Sequence, residues 1–269
     1  MVQTSIRDRH LATMSRGRRG LGEGKNYVSG ASVWEDPLAK RVHRIPFMGR
    51  QAHLARDSLF AAFLWECYQD ETEDIRELLP CEATPELAGR LKIRHPKYID
   101  GSDKVLKTDL LVTKCSGEKR WLEAVSVRLE RDGRPPAGIP ELQIIEAYWT
   151  ERGVNWSLSL NSGLNSNWAR NLDFLYGIAL QPVRAGDGAD EPEVQNAVIR
   201  ALQRGKHTTV RQACEFAMRA EGLPVRYGLN ALHLLLAARS IRFDVHCREI
   251  DSEEVSRFAI RSEKLISLR

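Results

Sequence analysis

Short stretches of alternating apolar and polar residues dominate the first 160 residues of the chain. Side chains of a β-strand point to opposite faces in turn, so a period of two is typical of strands with one buried face. Gly117 separates two of these stretches, which predicts a short turn between antiparallel strands. The alternation predicts a β-hairpin over 42–54, a short strand or turn over 74–80, and strands over 103–114, 120–130 and 154–160.

Two segments of the same region carry apolar residues at helical spacing instead. The first predicts a helix over 56–69 with Asp57 as its N-cap, and the second predicts a helix over 139–153 that ends at Gly153. Helices interspersed between strands place a helical layer on a mixed β-sheet, so the pattern predicts an α/β core. The apolar positions of the first helix are Leu59, Phe60, Phe63 and Leu64.

The chain changes character near residue 180, where Gly, Asp and Pro become frequent over 182–192. This composition is typical of a linker, so we expect one domain over 1–180 and a second over 181–269. Three helices followed by a strand hairpin are the outline of a winged-helix domain. The predicted elements are helices over 167–180, 193–205, 208–222 and 225–240, then a strand over 241–247.

The overall composition is that of a soluble globular protein, with 42% apolar and 28% charged residues among 269. No apolar run approaches the roughly 20 residues that span a bilayer. The basic N-terminus lacks the apolar segment of a secretory signal. The five cysteines are scattered without a C-x-x-C pair, which indicates reduced, buried thiols. We therefore expect a cytoplasmic protein.

Positive charge is concentrated near the N-terminus. Residues 1–50 contain ten Lys and Arg against four Asp and Glu, a surplus of six, whereas the whole chain carries +4. Residues 1–30 hold five glycines and little apolar periodicity, so we expect an extended basic arm there. Such an arm suits DNA phosphates, although a solvated leader is the alternative. The candidate DNA contacts are Arg16, Arg18, Arg19, Lys25, Arg44 and Arg50.

The last predicted helix has a polar face. Arg226, Asn230 and His233 fall at i, i+4 and i+7, so they lie on the same side of the helix. Arg226 and Asn230 are therefore candidate DNA contacts, since winged helices place such a helix in the major groove. A solvated face or a protein-docking face remains open as an alternative.

One predicted strand carries the pattern of a nuclease centre with altered chemistry. In "LEAVSVRLE", Ser126 and Arg128 share one face, and Asp109 lies upstream in "KTDLLV". An Asp followed by such a strand is the layout of metal-dependent DNA nucleases. Those enzymes would carry an acid or amide at Ser126 and a lysine at Arg128.

Several segments, taken in order, resemble the TnsA family, the endonuclease subunits of the heteromeric transposases of TnsABC-type transposons. The resemblance covers residues 16–180 well and the remainder in outline, and it implies a restriction-endonuclease-like fold. The segments that carry it are "GRRGLGEGKNYVSGASVWEDP", "RVHRI", "HLARDSLFAAFLW", "DIRELLP", "RHPKYIDGSDKVLKTDLLV" and "EAYWTERGVNW".

The resemblance also implies a Mg²⁺ centre built from a helix Glu, a strand Asp, and a Gln-x-Lys on the next strand. The acids would hold the ion, which activates the attacking water and stabilises charge on the phosphate. Asp109 keeps the Asp position, whereas Leu59, Ser126 and Arg128 replace Glu, Gln and Lys. Leu59 cannot ligate a cation, Ser126 is a weak neutral ligand, and arginine is not interchangeable with lysine.

Two roles for Asp109 follow from these replacements. In the one that we favour, Asp109 pairs with Arg128 and ties the two strands together without a metal. In the other, Asp109 binds Mg²⁺ together with Glu66 or Glu123. Glu66 lies about 10 Å beyond Leu59 along the helix. Glu123 has the wrong strand parity, so this rearranged site needs a change of register.

We therefore expect a TnsA-like transposition subunit with an inactive nuclease centre. The resemblance implies three partners: transposon-end DNA, a TnsB-like transposase and a TnsC-like AAA+ regulator. One alternative is an active endonuclease with a rearranged site that cuts the non-transferred strand, and only then do we expect Mg²⁺ as a cofactor. Another is a DNA-binding adaptor outside transposition.

Overall fold

The structure, a computed structural model, describes residues 4–32, 41–130, 139–180 and 188–261. The chain divides into two compact units, Met1–Leu164 and Asn165–Arg269. The boundary therefore lies before the helix predicted over 167–180 and not after it, and that helix belongs to the second unit. Residues 181–187 lie outside the described part of the chain, and they include most of the linker predicted over 182–192.

The first unit is built on a four-stranded mixed sheet with the order β3-β4-β5-β6. The strands β3, β4 and β5 are antiparallel neighbours, whereas β6 runs parallel to β5. The predicted hairpin over 42–54 is present as a separate antiparallel pair. The strands are β1 His43–Phe47, β2 Arg50–Leu54, β3 Thr72–Pro80, β4 Lys107–Ser116, β5 Lys119–Leu129 and β6 Asn155–Asn161.

Helices cover both faces of this sheet. Leu111 and Ala124 belong to an apolar cluster with residues of α3 and α4, so these helices pack on one face. Lys114, three residues after Leu111 on the same strand, points to the opposite face. It forms an ion pair with Glu66 of α2, so α2 packs on that face. The helices of the first unit are α1 Ile6–Arg16, α2 Asp57–Tyr68, α3 Thr84–Leu91 and α4 Pro140–Thr150.

The packing of α4 on the sheet fixes the register of the central strands. Ile144 and Ile145 of α4 are buried against Ala124 of β5. Burial of each isoleucine stabilises the fold by about 1.5–3 kcal/mol. A slip of β5 by one residue would turn Ala124 and Ser126 to the opposite face and lose this contact. The core therefore determines where Ser126 and Arg128 lie.

The N-terminal residues form a helix where an extended arm was expected. Ser5 caps α1 by accepting a hydrogen bond from Asp8 N, and Ile6 N donates to the Asp100 carboxylate at 2.6 Å. His10 contacts the Tyr98 hydroxyl at 3.0 Å. The prediction of an extended arm is therefore wrong over Ile6–Arg16. The inward face of α1 includes polar residues, so the sequence lacks the helical repeat of apolar residues that would have predicted a helix.

The following residues, 20–31, lie along β3, and we call them the edge segment because β3 is an outer strand of the sheet. Gly24 N donates to Asp74 at 3.0 Å, and the Tyr27 hydroxyl donates to Glu77 O at 2.7 Å. A Cβ on Gly30 would lie 1.9 Å from the Leu78 carbonyl oxygen, so only glycine fits there. The edge segment is thus fixed to the sheet.

Smaller differences concern helix ends. Asp57 is the first residue of α2 and does not cap it, because its carboxylate accepts from His43 at 2.8 Å and from Arg41 at 3.2 Å. The helix α4 ends at Thr150, three residues before the predicted stop at Gly153. The helix α3 was not predicted from the sequence.

The second unit contains four α-helices and a two-stranded antiparallel sheet among its described residues. Gly205 and Gly222 follow α6 and α7 with φ of 59° and 69°, as expected for helix ends. The strand predicted over 241–247 is only two residues long, because Asp244 accepts a hydrogen bond from His246 N and turns the chain. The elements are α5 Asn167–Leu180, α6 Pro192–Arg204, α7 Val210–Ala220, α8 Arg226–Ala237, β7 Ile241–Arg242 and β8 Ala259–Ile260.

No helix in the described part of the chain has both the length and the apolar character needed to cross a bilayer. Of the cysteines, Cys81, Cys214 and Cys247 are buried, whereas Cys67 and Cys115 are half-buried. Burial raises the pKa of the Cys81 thiol to about 11 and that of Cys214 to about 12. These thiols are therefore protonated at neutral pH and unreactive.

Candidate functional site

The two central strands separate at Asp109. The pairing of β4 with β5 extends from Ser116 opposite Lys119 as far as Leu110 opposite Val125. At the next residue, Asp109 Oδ2 accepts a hydrogen bond from Val127 N at 2.7 Å. A carboxylate oxygen thus takes the donor that a continued ladder would pair with a backbone carbonyl.

Two arginines converge on the Asp109 carboxylate. Arg56 Nη2 donates to Oδ1 at 2.5 Å, and Arg128 Nη1 donates to Oδ2 at 2.9 Å. The same two nitrogens also donate to the Val127 carbonyl oxygen, at 3.1 Å and 2.7 Å. The favoured Asp109–Arg128 pair is therefore present. Arg56, the residue before α2, was not predicted to belong to the site.

The cluster is enclosed at its centre and open at its edges. The Asp109 side chain is 10% exposed, whereas those of Arg56 and Arg128 are 38% and 21% exposed. Glu141 of α4 lies 3.7 Å from Arg128 Nη2, outside hydrogen-bond distance. The carboxylate therefore carries one negative charge between two guanidinium groups that both reach solvent.

The other residues that the resemblance maps to catalytic positions do not face this carboxylate as metal ligands. Ser126 is fully buried, and its Oγ accepts a hydrogen bond from Trp156 Nε1 at 3.0 Å. Leu59 is fully buried in α2 and has no ligating atom. Within the described residues, no group of three His, Cys, Asp or Glu side chains is arranged to hold a metal ion.

This donor set does not fit a divalent cation. Mg²⁺ requires several oxygen ligands in near-octahedral geometry. Asp109 is the one carboxylate among the four residues that the resemblance maps to the centre, and both of its oxygens already accept hydrogen bonds from charged or backbone donors. Two adjacent guanidinium groups would also repel the ion. No catalytic step through a metal can be built on these residues.

The two carboxylates considered for a rearranged site are engaged elsewhere. Glu66 Oε2 lies 2.8 Å from Lys114 Nζ, and Glu123 Oε2 lies 3.6 Å from the same nitrogen. Burial raises the pKa of Glu66 above its ordinary value, against the opposing effect of Lys114. Glu123 stands opposite Val112, and Asp109 has the other strand parity. Neither carboxylate therefore joins Asp109.

Arg50 is a correction to the predicted DNA contacts. Its side chain is 6% exposed, and its Nη1 donates to the buried Glu77 carboxylate at 3.0 Å. The guanidinium also lies over the Tyr27 ring, 5.0 Å from the centroid. The sequence placed Arg50 on the surface because charged residues are rarely buried without a partner, and its partner lies 27 residues away. Arg50 is not available to DNA.

Four of the five remaining basic candidates of the first unit are exposed. Arg16 ends α1, Lys25 lies in the edge segment, and Arg44 lies on β1. Arg19 is half-buried. The exposed members of the set are Arg16, Arg18, Lys25 and Arg44. They stay candidate contacts, now held on folded elements and not on an extended arm.

The predicted polar face of α8 is only partly a surface. Arg226 is exposed, and Asn230 is half-buried. His233 points inward, where its Nε2 contacts Asp251 Oδ1 at 2.6 Å and its ring packs edge-on against Phe174. The three residues therefore do not form one exposed face, and His233 stabilises the second unit instead.

No family model matches the chain. The chain is, however, 27% identical over 250 residues to the transposon Tn7 transposition protein TnsA of Escherichia coli. The alignment covers 91% of this chain and 89% of that protein, so it spans both units. The resemblance inferred from the ordered segments is thereby confirmed, and the chain is a TnsA-like protein.

Proposed function

We propose that this chain is a transposition subunit that binds transposon-end DNA and whose nuclease centre is inactive. The observation that carries the first part is the similarity to TnsA along nearly the full length of both chains. The partners that fit this role are a TnsB-like transposase and a TnsC-like AAA+ regulator.

The inactive centre rests on the geometry at Asp109. Its two oxygens accept hydrogen bonds from Arg56, Arg128 and Val127 N, so an ion bound there would compete with two guanidinium groups and a backbone donor. Divalent-metal nucleases need such ligands to position water and to stabilise the charge on the phosphate. The same fold would then serve binding without cutting.

The architecture is compatible with this role. The mixed sheet, with α2 on one face and α3 and α4 on the other, supports a restriction-endonuclease-like core. The order of three helices, α6 to α8, followed by two short antiparallel strands supports a winged-helix-like C-terminal domain. Exposed Arg226 at the start of α8 is the DNA candidate of that domain.

An inactive subunit has a consequence for the product of transposition. Without a cut on the non-transferred strand, the element stays joined to its donor. The expected product is a cointegrate and not a simple insertion, unless another subunit makes that cut.

The test is cleavage of a labelled transposon-end duplex by the purified chain. The chain is incubated alone and with its transposase partner, in Mg²⁺ and in Mn²⁺, and strands are separated on a denaturing gel. We expect binding in a gel-shift assay and no nicking by the chain or by Asp109→Ala. Nicking that Asp109→Ala abolishes would overturn the inactive centre.

A gain-of-function variant sharpens this test. Ser126→Gln with Arg128→Lys restores two family side chains, and Leu59→Glu adds the third. Because Leu59 is fully buried, the variants are prepared with and without that substitution and their folding is compared by circular dichroism. Metal-dependent nicking by a folded revertant would place the lost chemistry at these positions.

A further inference from the structure

We propose that Arg56 and Arg128 form a metal-independent clamp for a backbone phosphate of DNA, and that Asp109 holds the clamp in place when DNA is absent. This inference rests on the proposed DNA-binding function. It assigns to the altered nuclease centre a role of its own, in which two guanidinium groups contact a phosphate directly.

The first argument is the number of hydrogen-bond donors. A guanidinium has five N–H groups in a planar fork. Arg56 donates to Asp109 and Val127 through Nη2, and Arg128 donates to the same two residues through Nη1. Among the described residues, the other nitrogens of the two groups donate no hydrogen bond. Each arginine therefore keeps donors for a second anion.

The second argument is charge. One carboxylate needs one guanidinium to balance it, and Asp109 has two. Within the described part of the chain, one further acid, Glu141, comes within ion-pair distance of the cluster; it lies 3.7 Å from Arg128 Nη2 and is 37% exposed, so solvent screens its effect. The cluster therefore attracts an additional anion more strongly than a balanced pair would.

The third argument is preorganisation. Both guanidinium groups are fixed by Asp109 and by the Val127 carbonyl oxygen, so their rotamers are restricted before any ligand arrives. Ordering a long side chain on binding costs conformational entropy, and most of this cost is already met before DNA arrives. Arginine forks match phosphate oxygens in geometry. DNA phosphate is the anion that the proposed function supplies.

The competing anion within the cluster gives a distinctive expectation. Asp109 occupies donors that a phosphate would otherwise take. Replacing it with asparagine removes the negative charge and leaves an oxygen to accept a hydrogen bond. In a metal site the same replacement weakens binding, because the ligand is lost. In an arginine clamp it strengthens binding.

The experiment measures DNA affinity by fluorescence anisotropy in EDTA, with a labelled transposon-end duplex and several salt concentrations. The variants are Asp109→Asn and the double variant Arg56→Gln, Arg128→Gln. The matched control is Arg90→Gln, which removes an arginine from an exposed ion pair with Glu151. Melting temperatures show which variants are folded.

We expect the natural chain to bind the DNA duplex with the same affinity in EDTA and in Mg²⁺. The double variant should lose roughly tenfold or more in DNA affinity. The slope of log K against log salt concentration should become shallower by about 0.9, because one phosphate contact is lost. Asp109→Asn should bind several-fold more tightly than the natural chain, and Arg90→Gln should bind as it does.

A natural chain that binds no DNA would overturn the clamp and the proposed function together. A natural chain that binds, with a folded double variant of equal affinity and slope, would overturn the clamp alone. If the double variant does not fold, Asp109→Asn decides: equal or weaker binding in EDTA contradicts the clamp.

Discussion

Two arginine–carboxylate clusters in the first unit differ in how completely they are closed. At Glu77, one guanidinium meets one carboxylate, and the side chains of Arg50 and Glu77 are 6% and 0% exposed. At Asp109, two guanidinium groups meet one carboxylate, and both arginines reach solvent. The residue types are the same, but the stoichiometry and the exposure are not.

The comparison indicates that exposure and charge balance determine the role of an arginine more than its residue type does. A buried, balanced pair is neutral overall, and removing one partner leaves an uncompensated charge. A partly exposed cluster with an extra cation can exchange its anion, since water and ions reach it. Glu77 therefore belongs to the framework, whereas the partly exposed cluster at Asp109 is the one that suits the proposed phosphate clamp.

The largest effect is expected on breaking the closed cluster. Arg50→Met leaves the Glu77 carboxylate buried without its guanidinium, which should lower the free energy of unfolding by about 3–5 kcal/mol. The measurement is urea denaturation followed by circular dichroism. A loss below about 1 kcal/mol would contradict the framework role.

The pH dependence of that variant tests the same cluster. Burial already raises the pKa of Glu77 with Arg50 present, and removing Arg50 raises it further. A carboxyl with a raised pKa in the folded state contributes stability at low pH that is lost as pH rises. The deficit of Arg50→Met relative to the natural chain should therefore be larger at about pH 8 than at about pH 5.

A carboxylate in the second unit gives an intermediate case. Asp251 accepts from His233 at 2.6 Å and from Arg211 at 3.1 Å, and its side chain is 21% exposed. The hydrogen bond from His233 lowers the pKa of Asp251 below its ordinary value of 3.8. Asp251→Asn should lower the free energy of unfolding by roughly 1–3 kcal/mol at neutral pH.

The sign of the pH effect is opposite here. A lowered pKa in the folded state gives stability above the unfolded value of 3.8 that is lost as pH falls through the folded value. The difference between the natural chain and Asp251→Asn should therefore shrink below about pH 4. Thermal unfolding of both proteins at several pH values measures this difference in stability. A difference that grows on acidification would contradict the lowered pKa of Asp251.

The smallest effect is expected at the surface. Arg90 and Glu151 form an exposed ion pair, with oxygens 2.7 and 2.8 Å from Arg90 Nη2. Solvent screens such a pair, so Arg90→Gln should change the free energy of unfolding by less than about 1 kcal/mol. Urea denaturation of Arg90→Gln and Arg50→Met under the same conditions compares the loss of an exposed ion pair with the loss of a buried one.

The strands, including the pair that carries Asp109 and Arg128, could be predicted from the sequence because one buried face imposes a period of two. The turn at Gly117 followed from that period, and the Asp109–Arg128 pair followed from the replacements that the resemblance implies. The helix α1 could not be predicted in this way, because its inward face includes the polar residue His10. His10 contacts Tyr98, which lies far along the chain. A helix fixed by polar contacts leaves no apolar signal.

The charged residues of the site show the same limit. Arg50 was assigned to DNA from its charge, and only the tertiary fold brings Glu77 to it. Arg56 was missed because a lone arginine before a helix is ordinary in sequence, whereas its contact lies 53 residues away. Residue type predicts that a side chain needs a partner, but not which partner it finds.

The edge segment has a consequence for solubility. An outer strand with unpaired backbone groups is a template on which another chain can add as a further strand. Gly24, Tyr27 and Gly30 bring the edge segment onto β3 through hydrogen bonds and one close backbone contact. These contacts cover the outer strand, so the same glycine-rich run that suggested a phosphate-binding arm protects this edge of the sheet from pairing with a further strand.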